Sequence, residues 1–211
     1  MKLLYFSVGD FATNCYIYYQ EESKEALIID PGDEAGVIRA RVDYYGLKPV
    51  AILLTHGHYD HIGAVKQLQE FFGCPVCAQK AEEELLLSPE KNLSQMFGHS
   101  MILEADTFLE DRLETEQAGC TLTVLHTPGH TGGSCCYYDR ENGILFSGDT
   151  LFQYSYGRVD FPTGDMAKMQ QSIAMLLGEL PPKTKVYPGH GASTTIERER
   201  RYNPLSPYTA E

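Results

Sequence analysis

The apolar positions of the amino-terminal third recur as short runs rather than as long periodic stretches. Residues 2–8, 13–20 and 25–30 are rich in Tyr, Ile and Leu and are separated by turns at Gly9-Asp10 and 21–24. Runs of this length bounded by turn residues predict three strands in an antiparallel meander. Beyond Asp30-Pro31-Gly32, the pattern changes period and predicts a helix over 34–45, with Asp33 as its cap, Val37, Ile38 and Val42 inward, and Gly46 as its stop. The run 50–54 is uniformly apolar, as a strand buried on both faces would be. Ile62, Val65, Leu68, Phe71 and Phe72 then recur at helical spacing up to Gly73.

Residues 75–78 read as a short strand, and 82–87 and 88–97 as helical or irregular. A second set of β segments is expected at 107–110, 112–116, 119–126, 133–139 and 143–147. Asp165 is placed to cap a helix with Met166, Met169, Ile173, Leu176 and Leu177 on its inner face. A last strand at 185–187 and a charged helix over 194–201 lead to Asn203-Pro204. The order carries a coarse repeat. A meander ends in an aspartate (Asp30, Asp149), a helix follows, and the next strand ends near a histidine (His56, His190). Two β-rich halves with their own helices predict two sheets packed face to face with helices outside. No linker or low-complexity stretch divides residues 1–211, which implies a single domain.

With 211 residues, 43% of them hydrophobic, the chain can bury a substantial core. Its formal net charge of -12, from 29 acidic and 17 basic residues, disfavours a nucleic-acid partner. The amino terminus is too short in apolar residues for a secretion signal, and no stretch approaches a membrane span. The six cysteines lack the spacing of a disulfide framework, and Cys74-Pro75-Val76-Cys77 reads as buried strand thiols. A cytoplasmic protein, free of membrane, is the expectation.

The chemistry concentrates where the strand 50–54 ends. Thr55-His56-Gly57-His58-Tyr59-Asp60-His61 holds three of the seven histidines. Neutral imidazole is the commonest metal ligand, and carboxylates share divalent ions with it. On extended chain, His56 and His58 point to one side and can grip one ion together. Asp60 and His61 follow as the chain turns and could serve a second ion. Three more apolar runs end in polar residues preceded by glycine: His130 after 122–125, Asp149 after 144–146 and His190 after 185–187. Added to the cluster, they complete two candidate sites.

The set His56-x-His58-x-Asp60-His61, His130, Asp149 and His190 resembles the metallo-β-lactamase superfamily over nearly the whole chain. The resemblance implies an α+β fold, an αββα four-layer sandwich with the site at one edge of the sheets. It implies that His56, His58 and His130 hold a first metal, that Asp60, His61 and His190 hold a second, and that Asp149 bridges them. Two divalent ions are the implied cofactors, zinc foremost, with iron or manganese as the others. Asp30 is implied to support the ligands from behind; its other reading is an ordinary residue of a strand-end turn.

The segments Ser147–Phe152 and Gly157-Arg158-Val159-Asp160-Phe161-Pro162, with the ending Pro188-Gly189-His190-Gly191, are similar to small glyoxalase II-like members of that family. The larger glyoxalase II enzymes add a carboxyl-terminal helical substrate domain, and none is expected here. The implied activity is hydrolysis of a small, hydroxyacylglutathione-like thioester by a metal-bound hydroxide, with Asp60 and Asp149 as the catalytic carboxylates. Arg158 is the candidate substrate contact, against a structural pair with Asp160. An iron-dependent persulfide dioxygenase is the alternative activity, followed by an RNA-processing nuclease. An aspartate at 149, where the common di-zinc β-lactamases have cysteine, points away from antibiotic hydrolysis.

Overall fold

The computed structural model describes residues 1–208. Strands β1 (Lys2–Val8), β2 (Thr13–Tyr19) and β3 (Glu25–Ile29) form the expected meander, with Val8 opposite Thr13 and Tyr16 opposite Ile29. Three parallel strands extend it: β4 (Lys48–Leu53), β5 (Val76–Gln79) and β6 (Thr107–Leu109). Helix α1 (Ala35–Tyr45) links β3 to β4. Helices α2 (Tyr59–Ile62) and α3 (Val65–Phe72) lie between β4 and β5, and α4 (Glu83–Leu86) follows β5.

The second sheet runs β14 (Thr194–Thr195), β13 (Lys185–Pro188), β10 (Ile144–Gly148), β9 (Cys135–Asp139), β8 (Cys120–His126) and β7 (Glu114–Gln117). A small hairpin, β11 (Leu151–Phe152) with β12 (Ser155–Tyr156), leaves β10 beside the site. Helices α5 (Met166–Glu179) and α6 (Ile196–Tyr202) cover the outer face. The repeat is real in space. β3 and β4 pair in parallel across α1, as β10 and β13 do across α5.

Alternation along the strands builds three buried layers. Cys15 and Ile17 of β2 face Ile38 and Val42 of α1 and Val65 and Leu68 of α3. Tyr16, Tyr18, Leu53, Tyr137 and Phe146 pack between the sheets. Cys136, Leu145, Met169, Ile173 and Leu176 pack under α5. Cys135 and Cys136 leave β9 on opposite faces, and all six cysteines are buried and free. The fold is the αββα sandwich.

Buried tyrosines cross from one sheet to the other and fix the strand ends that matter. The Tyr137 hydroxyl donates to the Leu54 carbonyl at 2.8 Å, just before His56. The Tyr16 hydroxyl donates to the Pro188 carbonyl at 2.5 Å, just before His190. Asn14 Nδ2 donates to the same carbonyl at 3.0 Å and to that of Gly191 at 2.9 Å, closing a bracket around His190.

Several expectations are corrected. Glu34, in the left-handed region at φ 54°, occupies the cap position of α1, and Asp33 only accepts from the Glu34 N–H. Val37, in the first turn of α1, and Met166, the first residue of α5, are exposed. The segment at 107–109 pairs with β5 and belongs to the first sheet. The single helix expected after His61 breaks at Gly63-Ala64 into α2 and α3. In the charged helix expected over 194–201, Arg200 turns back onto the fold: its guanidinium donates to the Leu177 and Leu180 carbonyls and closes the end of α5.

Candidate metal centre

Every candidate ligand lies at or just past a strand end on one edge of the sandwich. β4 delivers His56 and His58 on extended backbone, and α2 begins immediately after them and turns Asp60 and His61 toward the same centre. The turn after β8 supplies His130, β10 supplies Asp149 and β13 supplies His190. Donor atoms of His56, His58 and His130 lie within 4.8 Å of one another. The same holds for His56, His61 and Asp149, and for Asp60, His61 and His190. All seven residues therefore converge on one spot.

Their contacts show a centre arranged for cations. His58 Nδ1 is 2.9 Å from His130 Nε2, and His61 Nε2 is 3.4 Å from His190 Nε2. Asp149 lies among them, with its carboxylate oxygens 3.5 Å from His61 and from His130 and 3.6 Å from His190. His56 Nε2, His58 Nε2 and Asp149 Oδ1 are buried with no hydrogen-bond partner. An unpaired buried polar atom costs ~1–3 kcal/mol, so three together need a further partner. Imidazole nitrogens and carboxylate oxygens in overlapping triads fit divalent cations.

The surroundings set the protonation of each group. Burial, reinforced by the neighbouring imidazoles, holds His56 well below its usual pKa and His58 at about 3. Burial likewise lowers His130. Burial also works against a charge on His61 and His190, but nearby carboxylates prevail and raise both. Burial tends to raise Asp60 and Asp149; the histidines around them win, holding Asp149 at about 2 and Asp60 well below the carboxylate range.

A ring of supporting groups orients the donors. Asp30, at φ 49°, accepts from the Thr55 N–H at 2.8 Å and the Thr55 hydroxyl at 2.6 Å, and lies 3.0 Å from His61 Nδ1. A non-glycine residue held there is strained, and three partners keep it in place. Thr13 donates to Asp60 Oδ2 at 3.0 Å. The Arg158 carbonyl lies 2.7 Å from His130 Nδ1, while its guanidinium forms a two-pronged pair with Asp160 at 2.7 Å and lies over the Phe161 ring. Arg158 thus reaches the centre through its backbone, and its side chain stands at the rim of the cleft.

Glu82 escapes a reading of the sequence. It is buried and accepts from the Gly57 N–H at 2.8 Å, the Thr131 hydroxyl at 2.9 Å and the Gly133 N–H at 2.8 Å. It thereby ties the His56–His58 loop to the His130 loop. Burial pushes its pKa up to about 7, against those three donors. The run Glu82-Glu83-Glu84 looks solvated; the one signal is that Glu82 precedes Leu85 and Leu86 by three and four positions, on their apolar face. His126 bonds the Gly132 carbonyl in the same loop, and His99 stacks on Tyr59.

The family model described as the metallo-beta-lactamase superfamily matches residues 8–190. The chain is 37% identical to the hydroxyacylglutathione hydrolase GloC of Haemophilus influenzae, over 97% of this chain and 98% of that one. The crystal structure of BLEG-1 B3 metallo-beta-lactamase superposes with a TM-score of 0.92 at 38% identity, covering 98% of this chain and all of that one. TTHA1623 in a di-iron-bound form gives 0.85 at 36%, covering 96% and 99%. With the αββα sandwich and the histidine-aspartate edge in hand, the chain belongs to the metallo-beta-lactamase superfamily.

Proposed function

We propose that the protein is a dinuclear metal-dependent hydrolase of small thioesters. The observation that carries this is the meeting of the three donor triads on the floor of an open cleft of about 720 Å³. Similarity to GloC supports the thioester as substrate class. His56, His58 and His130 would hold one ion, Asp60, His61 and His190 the other, with Asp149 between them. Zinc is the metal proposed, and iron is the alternative that TTHA1623 supports. Divalent cations there would polarise the carbonyl and bring the pKa of water close to neutrality.

The chain's own part follows from its geometry. Asp60 is ionised, fixed by Thr13 and open to the cleft, so it accepts a hydrogen bond from water and aims it. Asp30 and the Arg158 carbonyl hold the tautomers of His61 and His130. Water adds its oxygen to the carbonyl, the carbon–sulfur bond breaks, and the acid and thiol leave. The thiolate needs no strong acid because thiols ionise far more readily than alcohols. The Arg158 guanidinium, at the rim, is proposed to meet the polar thiol carrier.

The test is S-lactoylglutathione hydrolysis, followed by loss of thioester absorbance in metal-replete protein beside His58→Ala. Cleavage in the native chain and its loss in the variant, together with lost metal, is the expected result. No cleavage by protein that holds two metals would sink the reading. Likeness to BLEG-1 supports a second reading, hydrolysis of a β-lactam, and a chromogenic cephalosporin in the same assay decides between them.

A further inference from the structure

One wall of the cleft is apolar, and it is built rather than incidental. Phe11, in the turn between β1 and β2, meets Phe97 at 5.0 Å between ring centres and Tyr59 at 6.0 Å, both edge to face. Tyr59 stacks on Phe97 at 5.3 Å. Phe97 ends the short 3₁₀ helix Ser94–Phe97, and Met96 stands beside it. Phe11 is 43% exposed, Phe97 41% and Met96 66%. Apolar side chains clustered in water at the mouth of a site mark a surface that something covers.

The backbone that presents them is firmly held. Asn92 donates to the Met101 carbonyl at 2.8 Å, accepts from the Ser94 N–H at 3.0 Å, and takes the Tyr59 N–H on its own carbonyl at 2.8 Å. The Met101 N–H donates to Ser94 Oγ at 3.0 Å. Leu93 is forced to φ 68°, a conformation that a leucine avoids, and its side chain tucks inward. The loop is thus docked directly on the turn that carries His58 and Asp60.

Arg158 lines the cleft together with Ser155 and Tyr156, its guanidinium held by Asp160. With the polar thiol carrier proposed for Arg158, the aromatic residues are left for the other half of the thioester.

We infer that the Phe11, Tyr59, Met96 and Phe97 wall seats an apolar acyl group, so that the substrates are hydrocarbon or aryl-acyl thioesters of a polar thiol, an inference that rests on the thioester reading above. A small hydroxyacyl group leaves this wall in water.

The test uses glutathione thioesters of acetyl, butyryl and phenylacetyl groups, with each kcat/KM divided by the uncatalysed hydroxide rate of that ester. The native chain is expected to favour phenylacetyl over acetyl about tenfold or more. Phe97→Ala is expected to bring that ratio close to one, and Phe97→Leu to keep part of it. Met96→Ala, at the most exposed position, supplies a second variant should Phe97→Ala fold poorly. Tyr44→Ala, on the exposed face of α1, serves as the control whose ratio stays put. A native ratio near one, or a ratio that survives both wall variants, overturns the inference while the thioester reading stands. Failure on all three esters by protein that cleaves S-lactoylglutathione overturns the inference alone, and failure on all four removes both.

Discussion

A methyl group on Gly189 would overlap Asp149 Oδ1 and His61 Cε1, so the backbone before His190 can pass the centre only as glycine. Gly148 meets the same limit against the Thr55 side chain, at φ 47°. Gly189→Ala is therefore expected to push Asp149 out of place and to lower bound metal from two equivalents to one or fewer, measured by elemental analysis; two retained equivalents would contradict it. At this scale the sequence was informative because ligands are chemically distinctive. Histidines two apart at a strand end, and a glycine directly before His130, Asp149 and His190, carry their meaning in type and spacing. Residues that act through a backbone atom carry none. Nothing about an arginine marks its carbonyl as the partner of His130, as in Arg158. Asp30 was legible only through resemblance, since a strand-end aspartate before Pro-Gly also suits a plain turn.

The 3₁₀ turn Lys80–Glu82, which leads into α4, acts as a clamp between two ligand loops through Glu82. Glu82→Ala leaves two backbone N–H groups and the Thr131 hydroxyl without their acceptor. The expected cost is about 2–4 kcal/mol in denaturant unfolding, and a metal affinity reduced about 10–100-fold. Glu82→Gln keeps the size but turns one acceptor into a donor, so a smaller loss is expected. Unfolding curves and metal titrations unchanged in Glu82→Ala would refute the clamp. The long elements were legible because their periods are strong. The meander, the strand 50–54 and the Asp165 cap, which accepts from Ala167 and Lys168, appear as the pattern predicts. Helix ends and sheet membership were not. Whether 107–109 joins one sheet or the other depends on which neighbour lies open, and that is a property of the assembled sandwich.

In the whole molecule, the candidate centre divides into two halves of opposite readiness. Burial keeps His56, His58 and His130 neutral near pH 7, free to take a cation without losing a proton. His61 and His190 have raised pKa values in the metal-free chain, so a cation entering their half displaces protons. Lower pH opposes that release. The second equivalent of metal is thus expected to weaken about tenfold per pH unit for each proton displaced as pH falls through neutrality, whereas the first is nearly indifferent. Calorimetric titration in buffers of different ionisation heat reads this directly, and equal proton release in the two steps would contradict it. The four-layer fold was legible from the repeated meander-helix-strand order. The aromatic wall was not, because Phe11 and Phe97 meet only once distant loops close over the cleft.

The most direct measurement of the central claim is hydrolysis of a small thioester in isotopically heavy water, with an oxygen electrode in the same vessel. The released acid is expected to carry one heavy oxygen, with thiol appearing in equal amount and no oxygen consumed. Intact thioester, with oxygen uptake when a persulfide is supplied instead, would contradict it.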